Sequence, residues 1–353
     1  MLFDPFPFVA PLLHALDPED AHELTLCALE TGFVPGQPRD DDPVLATKLF
    51  GRALTNPIGL AAGFDKNARV YGQMAAHGFG FVEIGGVTPL PQAGNPRPRV
   101  FRLTEDGAVI NRLGFPNDGA EMVERRLRRG GRPSIGFGIN LASNADSADP
   151  AEDFVALARR FGHDADYLTL DISCPNTANG QVFLDPSRLA DLLARLAEID
   201  WGTSRPARVA KLSPDIEDDA VERLVATLVD ARIDGIEVAN TTRARPAGLR
   251  GANAREAGGL SGRPLFAAST AMLARVRALT GGRVTLIGVG GVASGDDAFA
   301  KIRAGASAVQ LYTALIYAGT SVVTSIKREL AQRLRADGFT SVAQAVGTAV
   351  PAI

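Results

Sequence analysis

The chain has 353 residues, 46% of them apolar and 22% charged, with a formal net charge of −3. This composition excludes a mainly disordered chain and a polytopic membrane protein. The slightly acidic balance argues against a broad nucleic-acid surface, which needs clustered positive charge.

The opening is unusually apolar. Leu2, Phe3, Phe6, Phe8, Val9, Leu12, Leu13 and Leu16 crowd the N-terminus, and a helix should start after Asp17 with Pro18 at its first position. Asp4 and Asp17 stand where a signal peptide would carry a basic region and a cleavage site. No run reaches the ~18 apolar residues of a membrane span. Two readings stay open: a helix pair packed on the main body, or an amphipathic pair resting on a bilayer surface. A Pro/Asp-rich linker, Pro35–Pro43, follows. The expected organisation is an extension over residues 1–43 and one barrel domain over 44–353.

Past residue 55 the pattern alternates regularly. Apolar runs that read as strands lie at Pro57–Ala62, Gly80–Ile84, Ser134–Asn140, Tyr167–Ile172, Arg208–Leu212, Gly235–Ala239, Val284–Val289 and Ala308–Tyr312. Amphipathic stretches lie between them, at Ala68–His77, Asp118–Arg129, Glu152–Phe161, Ser187–Ala197, Asp218–Ala231, Leu265–Leu279, Gly295–Ala304 and Ser321–Arg335. Eight strands, each followed by a helix, predict an α/β chain folded as a (β/α)8 TIM barrel. An open doubly wound sheet fits less well, because no GxGxxG follows the first strand. The long segment Thr88–Phe115, rich in Pro, Gly and Arg, reads as a functional loop.

Barrel active sites form at the C-terminal ends of the strands. In chain order those ends are Ala61–Lys66, Gly85–Thr88, Asn140, Asp171–Thr177, Lys211, Asn240–Thr242, Gly290–Gly291 and Tyr312–Thr313. The ring is rich in amides, lysines and glycines and poor in carboxylates, which suits a planar heterocycle with amide edges. His14, His22, His77 and His163 all fall on helices or in the N-terminal extension, so neither a metal site nor a Ser-His-Asp triad is expected. Asp171 is the best strand-end acid and has no evident carboxylate partner for glycosidase chemistry.

Three features carry a specific chemistry. Ile287–Gly295 is a strand, a glycine turn and a helix start, which presents backbone N–H groups to a phosphate. Only five lysines occur among 37 basic residues, yet Lys66 and Lys211 stand at strand ends, where a compact ammonium suits a carboxylate or a cofactor ring. Cys174 follows a strand and precedes Pro175-Asn176. Either it is a small buried hydrophobe or, near two cations, a reactive thiol. Cys27 and Cys174 are too far apart for a CxxC or zinc spacing, so a reducing, cytoplasmic setting is expected.

These strand ends, in this order, resemble the dihydroorotate dehydrogenases, and specifically their membrane-associated, quinone-linked class 2. The resemblance runs through LAAGFDKN at 60–67, GFGFVEIG at 78–85, VTPLPQAGNPRPRVFRL at 87–103 and INRLGF at 110–115. It continues in NTTRARPAGLRG at 240–251, GGLSGRP at 258–264, IGVGGVASG at 287–295 and IRAGASAVQLYTAL at 302–315. The opening Leu16–His22 and the helix pair mark class 2.

The resemblance implies a non-covalent FMN, oxidation of (S)-dihydroorotate to orotate in pyrimidine biosynthesis, and ubiquinone or menaquinone as acceptor. It implies that Ala62, Gly63, Gly86, Asn140, Lys211, Thr241, Gly262, Gly290, Gly291, Tyr312 and Thr313 hold FMN. Lys66, Asn111, Asp171, Asn176, Asn240 and Thr241 are expected at the substrate, with Cys174 as the base. His22, Arg102 and Tyr312 are expected at the inner end of a quinone tunnel under the N-terminal helices. A monomer on the inner face of the cell membrane is implied.

The departures cluster at the fourth strand. Class 2 enzymes carry serine where this chain has Cys174, and an asparagine where it has Asp171. The family's GKNK is replaced by Ala142–Ala145, its lid motif by Ala178–Phe183, and small hydroxyl residues by Gly86 and Ala239. A paralogue acting on another cyclic amide or dihydropyrimidine, or an inactive flavin-binding sensor, are the alternatives these changes raise.

Overall fold

A computed structural model of the chain describes residues 4–37, 41–174 and 180–350. Helix α1 (Phe6–Ala15) leads to α2 (Pro18–Glu30), whose first turn is capped by the Asp17 carboxylate accepting from the N–H groups of Glu19 and Asp20. A short hairpin, β1 (Thr47–Leu49) and β2 (Arg52–Leu54), precedes the first barrel strand, β3 (Ile58–Leu60). The chain then runs through α3 (Tyr71–Met74), β4 (Phe81–Val87), β5 (Val100–Leu103), β6 (Ala108–Asn111), α4 (Gly119–Gly130) and β7 (Gly136–Leu141). Next come α5 (Pro150–Phe161), β8 (Tyr167–Asp171), α6 (Pro186–Ala197), β9 (Ala207–Leu212), α7 (Asp218–Asp230), β10 (Gly235–Val238) and β11 (Gly259–Gly262). The C-terminal part holds α8 (Phe266–Thr280), β12 (Thr285–Val289), α9 (Gly295–Arg303), β13 (Ala308–Leu311), α10 (Thr313–Ala318), α11 (Ser321–Ala336) and α12 (Val342–Ala345).

Strands β3, β4, β7, β8, β9, β10, β12 and β13 are parallel neighbours in that order, and β13 pairs back to β3 with Val309 opposite Ile58 to close the barrel. The eight predicted strands are these eight. They read as unbroken apolar runs because a parallel barrel strand is buried on both faces, by the barrel interior and by the helices. All seven residues of β4 are buried.

Two sheets lie outside the barrel and were not predicted. The β1–β2 hairpin packs Leu49 and Leu54 against Phe81, Tyr167, Val209 and Ile287, filling the N-terminal end of the barrel. At the other end β5 and β6 form a hairpin to which β11 adds an antiparallel strand, Gly259 opposite Asn111. The segment Thr88–Phe115 is therefore not a plain loop, because it contains this hairpin. Likewise only Tyr71–Met74 of the stretch expected at Ala68–His77 is α-helical. The Asp65 carboxylate binds the N–H groups of Asn67, Arg69 and Val70 in a turn that delays the helix.

The helix pair lies over the barrel mouth. Glu19 of α2 pairs with Arg99, and Glu23 and Glu30 with Arg69. Arg102 of β5 donates to the carbonyls of Leu13, His14 and Leu16 at the end of α1. The inner side of the pair is thus packed on the main body, while Phe8 (72%) and Leu12 (71%) of α1 and Phe33 (83%) just after α2 stay exposed. Among the described residues no helix is long and apolar enough to cross a membrane.

Candidate active site

The barrel floor sets the electrostatics of the site. Alternation along β4, β8 and β13 turns Glu83, Tyr167, Thr169 and Gln310 into the interior. The Glu83 carboxylate accepts from Tyr167 Oη (3.0 Å), Thr169 Oγ1 (3.2 Å), Gln310 Nε2 (2.9 Å) and Asn140 Nδ2 (3.2 Å). One layer above, Lys211 of β9 reaches Glu237 of β10, Nζ to Oε1 2.7 Å, with both side chains buried.

Burial alone would lower the Lys211 pKa. The carboxylates of Glu237, Glu83 and Asp171 overcome that and hold the ammonium above its ordinary range. The Glu237 pKa is raised as well, by burial and by the Glu83 charge against the pull of Lys211. Two buried carboxyl groups thus lie in the floor beneath the ring of strand ends. Glu83 and Glu237 were missed in the sequence; a lone acid inside each of the apolar strands FVEI and GIEV was the available signal.

Above this floor opens one cavity of about 1380 Å³, bounded by the strand ends, the β5–β6–β11 sheet, α10 and the helix pair. Every expected site residue that the structure describes lines it: Cys174; Lys66, Asn111, Asp171, Asn240 and Thr241; Ala62, Gly63, Gly86, Asn140, Lys211, Gly262, Gly290, Gly291, Tyr312 and Thr313; and His22 and Arg102. Asn176 lies outside the described residues, as do Ala178 and Asn179 of the departing lid stretch.

Asp171, at the end of β8 and opposite Lys211 in register, accepts a hydrogen bond from Asn240 Nδ2 at 3.0 Å. Burial raises its pKa to about 6, against the pull of Lys211. The partners of this acid are thus an amide and an ammonium. Asn240 is held at both ends of its amide, since its Oδ1 accepts from Thr241 N at 2.8 Å. Cys174 is buried and in no disulfide. The residue before it, Ser173, donates to the Lys211 carbonyl at 2.7 Å and so pins the β8 loop to β9.

Lys66 follows β3. Burial lowers its pKa to about 8, with Glu19 opposing. His22 packs edge-on against Phe64, ring centres 5.3 Å apart, and Phe64 against Tyr312 at 5.5 Å. Burial and the nearby Lys66 push His22 down to about 3, so it stays neutral at physiological pH.

The glycine turn after β12 is built for backbone approach. Gly290 and Gly291 have φ of +100° and +79°, and a Cβ on Gly291 would stand 2.5–2.7 Å from Phe266. Buried Asn140 Oδ1 has no hydrogen-bond partner among the described residues, which marks a place for a donor on a ligand. No cluster of His, Cys, Asp or Glu able to hold a metal occurs among the described residues.

A TIM barrel with a glycine turn after β12, a buried ammonium at the end of β9 and amides around its mouth has the layout of a barrel enzyme. The dihydroorotate dehydrogenase family model matches residues 44–334. "Dihydroorotate dehydrogenase (quinone)" of Cereibacter sphaeroides is 50% identical over 337 residues, covering 95% of each chain. The protein of the same name from Parvibaculum lavamentivorans is 49% identical over 348 residues, covering 98% of this chain and 99% of its own. Ligand-free DHODH from Eimeria tenella superposes with a TM-score of 0.91 at 36% identity, covering 94% of this chain and 99% of that one. The chain belongs to the dihydroorotate dehydrogenase family, whose members are flavin-dependent oxidoreductases.

Proposed function

We propose that this chain oxidises (S)-dihydroorotate to orotate with a bound FMN and passes the electrons to ubiquinone or menaquinone. The carrying observation is that a single cavity joins a glycine phosphate turn, the Lys66, Asn111 and Asn240 cluster, and an apolar passage under exposed helices. The quinone-linked names of the relatives point the same way.

The residues fit FMN. The N–H groups of Gly262, Gly290 and Gly291 with Thr313 suit its phosphate. Asn140 Oδ1 suits an N–H on its ring, and Ala62, Gly63, Gly86 and Thr241 leave room for a flat heterocycle. FMN, when bound, supplies a two-electron acceptor for a C–H bond. Lys211, whose ammonium the acidic groups of Glu237, Glu83 and Asp171 hold above its ordinary range, sets positive charge beside it and favours electron uptake.

On the substrate side, Lys66 pairs with the carboxylate, which holds its proton in place. Asn111 and Asn240 match the N–H and C=O edges of the ring, and Asn176 completes the set. Asp171 is paired rather than bare, accepting from Asn240 Nδ2 beside the Lys211 ammonium, which offsets its charge near an anionic substrate. Cys174 takes the C5 proton on Sγ; a thiolate is reached at lower pH than an alkoxide. His22, Arg102 and Tyr312 border the quinone end, where His22 offers a neutral imidazole.

Phe8, Leu12 and Phe33, exposed beside that passage, support a peripheral seat on the inner face of the cell membrane. Anaerobic stopped-flow of the purified protein with dihydroorotate tests the activity. Bleaching of the flavin band within the dead time to seconds is expected. A flavin that dithionite reduces but dihydroorotate does not would refute it.

A further inference from the structure

Behind the glycine turn lies a buried cation that the reaction leaves unused. Lys301 of α9 is wholly buried, between α8 and β12. Its ammonium donates to Ser269 Oγ (2.8 Å) and Thr270 Oγ1 (3.1 Å) of α8 and lies 5.1 Å from the Phe266 ring centre. Two hydroxyls and a ring face meet this charge, where a carboxylate would ordinarily be needed.

The hydroxyl of Ser269 carries the contact onward. Its oxygen takes a Lys301 proton, so its own hydrogen is free to donate to Phe266 O or Gly290 O, each 3.1 Å away. Phe266 O already accepts from Thr270 Oγ1 at 2.7 Å. The Ser269 hydroxyl is left for the Gly290 carbonyl. Carbonyl and N–H of a trans peptide point in opposite directions. Holding the Gly290 carbonyl toward α8 therefore turns the Gly291 N–H away from α8 and toward the cavity that both glycines line.

We propose that Lys301 is a positioning residue for the cofactor's phosphate, acting through Ser269 on the Gly290–Gly291 peptide and adding its charge when a phosphate occupies the turn. This rests on the reading of the cavity as an FMN site. Burial lowers the Lys301 pKa to about 7, with Asp297 opposing, so a dianion in the turn would draw a proton onto it. The other groups around it do not titrate in this range: α8 presents Ser269, Thr270 and Phe266, β12 presents Gly288, and Ala306 follows α9. Asp297 on its own helix accepts from Ala293 N, and Glu329 of α11 accepts from Gly295 N.

The test is equilibrium exchange of riboflavin against FMN on the full-length holoprotein, read by flavin fluorescence between pH 6.5 and 9. The two ligands differ by the phosphate alone, and its second pKa of about 6 keeps it dianionic above pH 7. The wild type should favour FMN, with a preference that falls up to about tenfold per pH unit above pH 7 as the free protein loses the Lys301 proton. Lys301→Met should lower that preference at least about tenfold at pH 7 and flatten its pH dependence, with riboflavin affinity unchanged. Ser269→Ala, which leaves the ammonium on Thr270, should lower the preference too and guards against misfolding of the first variant. An unchanged, pH-dependent preference in Lys301→Met overturns the proposal. Equal wild-type affinity for FMN and riboflavin overturns the cofactor reading and the proposal with it.

Discussion

Replacing Asp171 by asparagine tests the electrostatic reading of the site most directly. Asp171 is buried, and its pKa stands at about 6 against an ordinary 3.8. An acid whose proton is held more tightly in the folded chain disfavours folding when ionised. At about 1.4 kcal/mol per pH unit, the cost is absent below pH 3.8, builds through the window from 3.8 to about 6, and reaches about 3 kcal/mol above it. At pH 5 it is about 1.5 kcal/mol on the same basis. Asp171→Asn removes the titration and keeps an oxygen to accept from Asn240. The pull of Lys211 is already contained in the Asp171 pKa, and Lys211 stays protonated across this range, so it adds no further pH dependence. Urea denaturation of both proteins at pH 5 and pH 8 should therefore show the variant gaining about 1.5 kcal/mol on the wild type between the two. A gap that stays constant, or narrows as pH rises, would refute a buried Asp171 with a raised pKa.

Cys174→Ser should slow flavin reduction mainly at neutral pH and move the pH profile upward, since an alkoxide needs more base; single-turnover rates unchanged at every pH would remove Cys174 as the base. Glu237→Gln takes a counter-charge from Lys211, so the flavin potential should rise at pH 9 by about 30 mV or more, with little change at pH 6 where Glu237 is already protonated. Spectroelectrochemistry at the two pH values reads this directly, and equal shifts at both would count against it. Gly291→Ala places a methyl within 2.5–2.7 Å of Phe266 and should yield protein depleted of flavin on purification, checked by absorbance ratio. Phe8→Ser with Leu12→Ser removes two exposed apolar side chains and should weaken vesicle co-sedimentation about a hundredfold while leaving reduction by dihydroorotate intact.

The sequence by itself determined the barrel. Each barrel strand is buried on both faces, so it reads as an apolar run whatever its neighbours are, and the residue after each run falls at the catalytic end by the geometry of the fold. That is why Lys66, Asn140, Lys211, Asn240 and Gly291 are legible at or just after their strand ends in the sequence. Tertiary structure decided what depends on partners distant in the chain. β11 meets β6 about 150 residues away; Gly259–Gly262 holds a single large apolar residue, and the short apolar run Ala108–Ile110 sits inside a Pro-, Gly- and Arg-rich stretch that reads as a loop. Glu83 and Glu237 lie on strands read correctly, yet which alternate residues face inward was settled only when the barrel closed. Closure then set three carboxylates around Lys211, gave Asp171 its bond from Asn240, and placed Lys301 beneath the glycine turn through a serine 32 residues earlier. Charge interactions act through space and grow where water is excluded, so strand periodicity, which records only local burial, does not carry them.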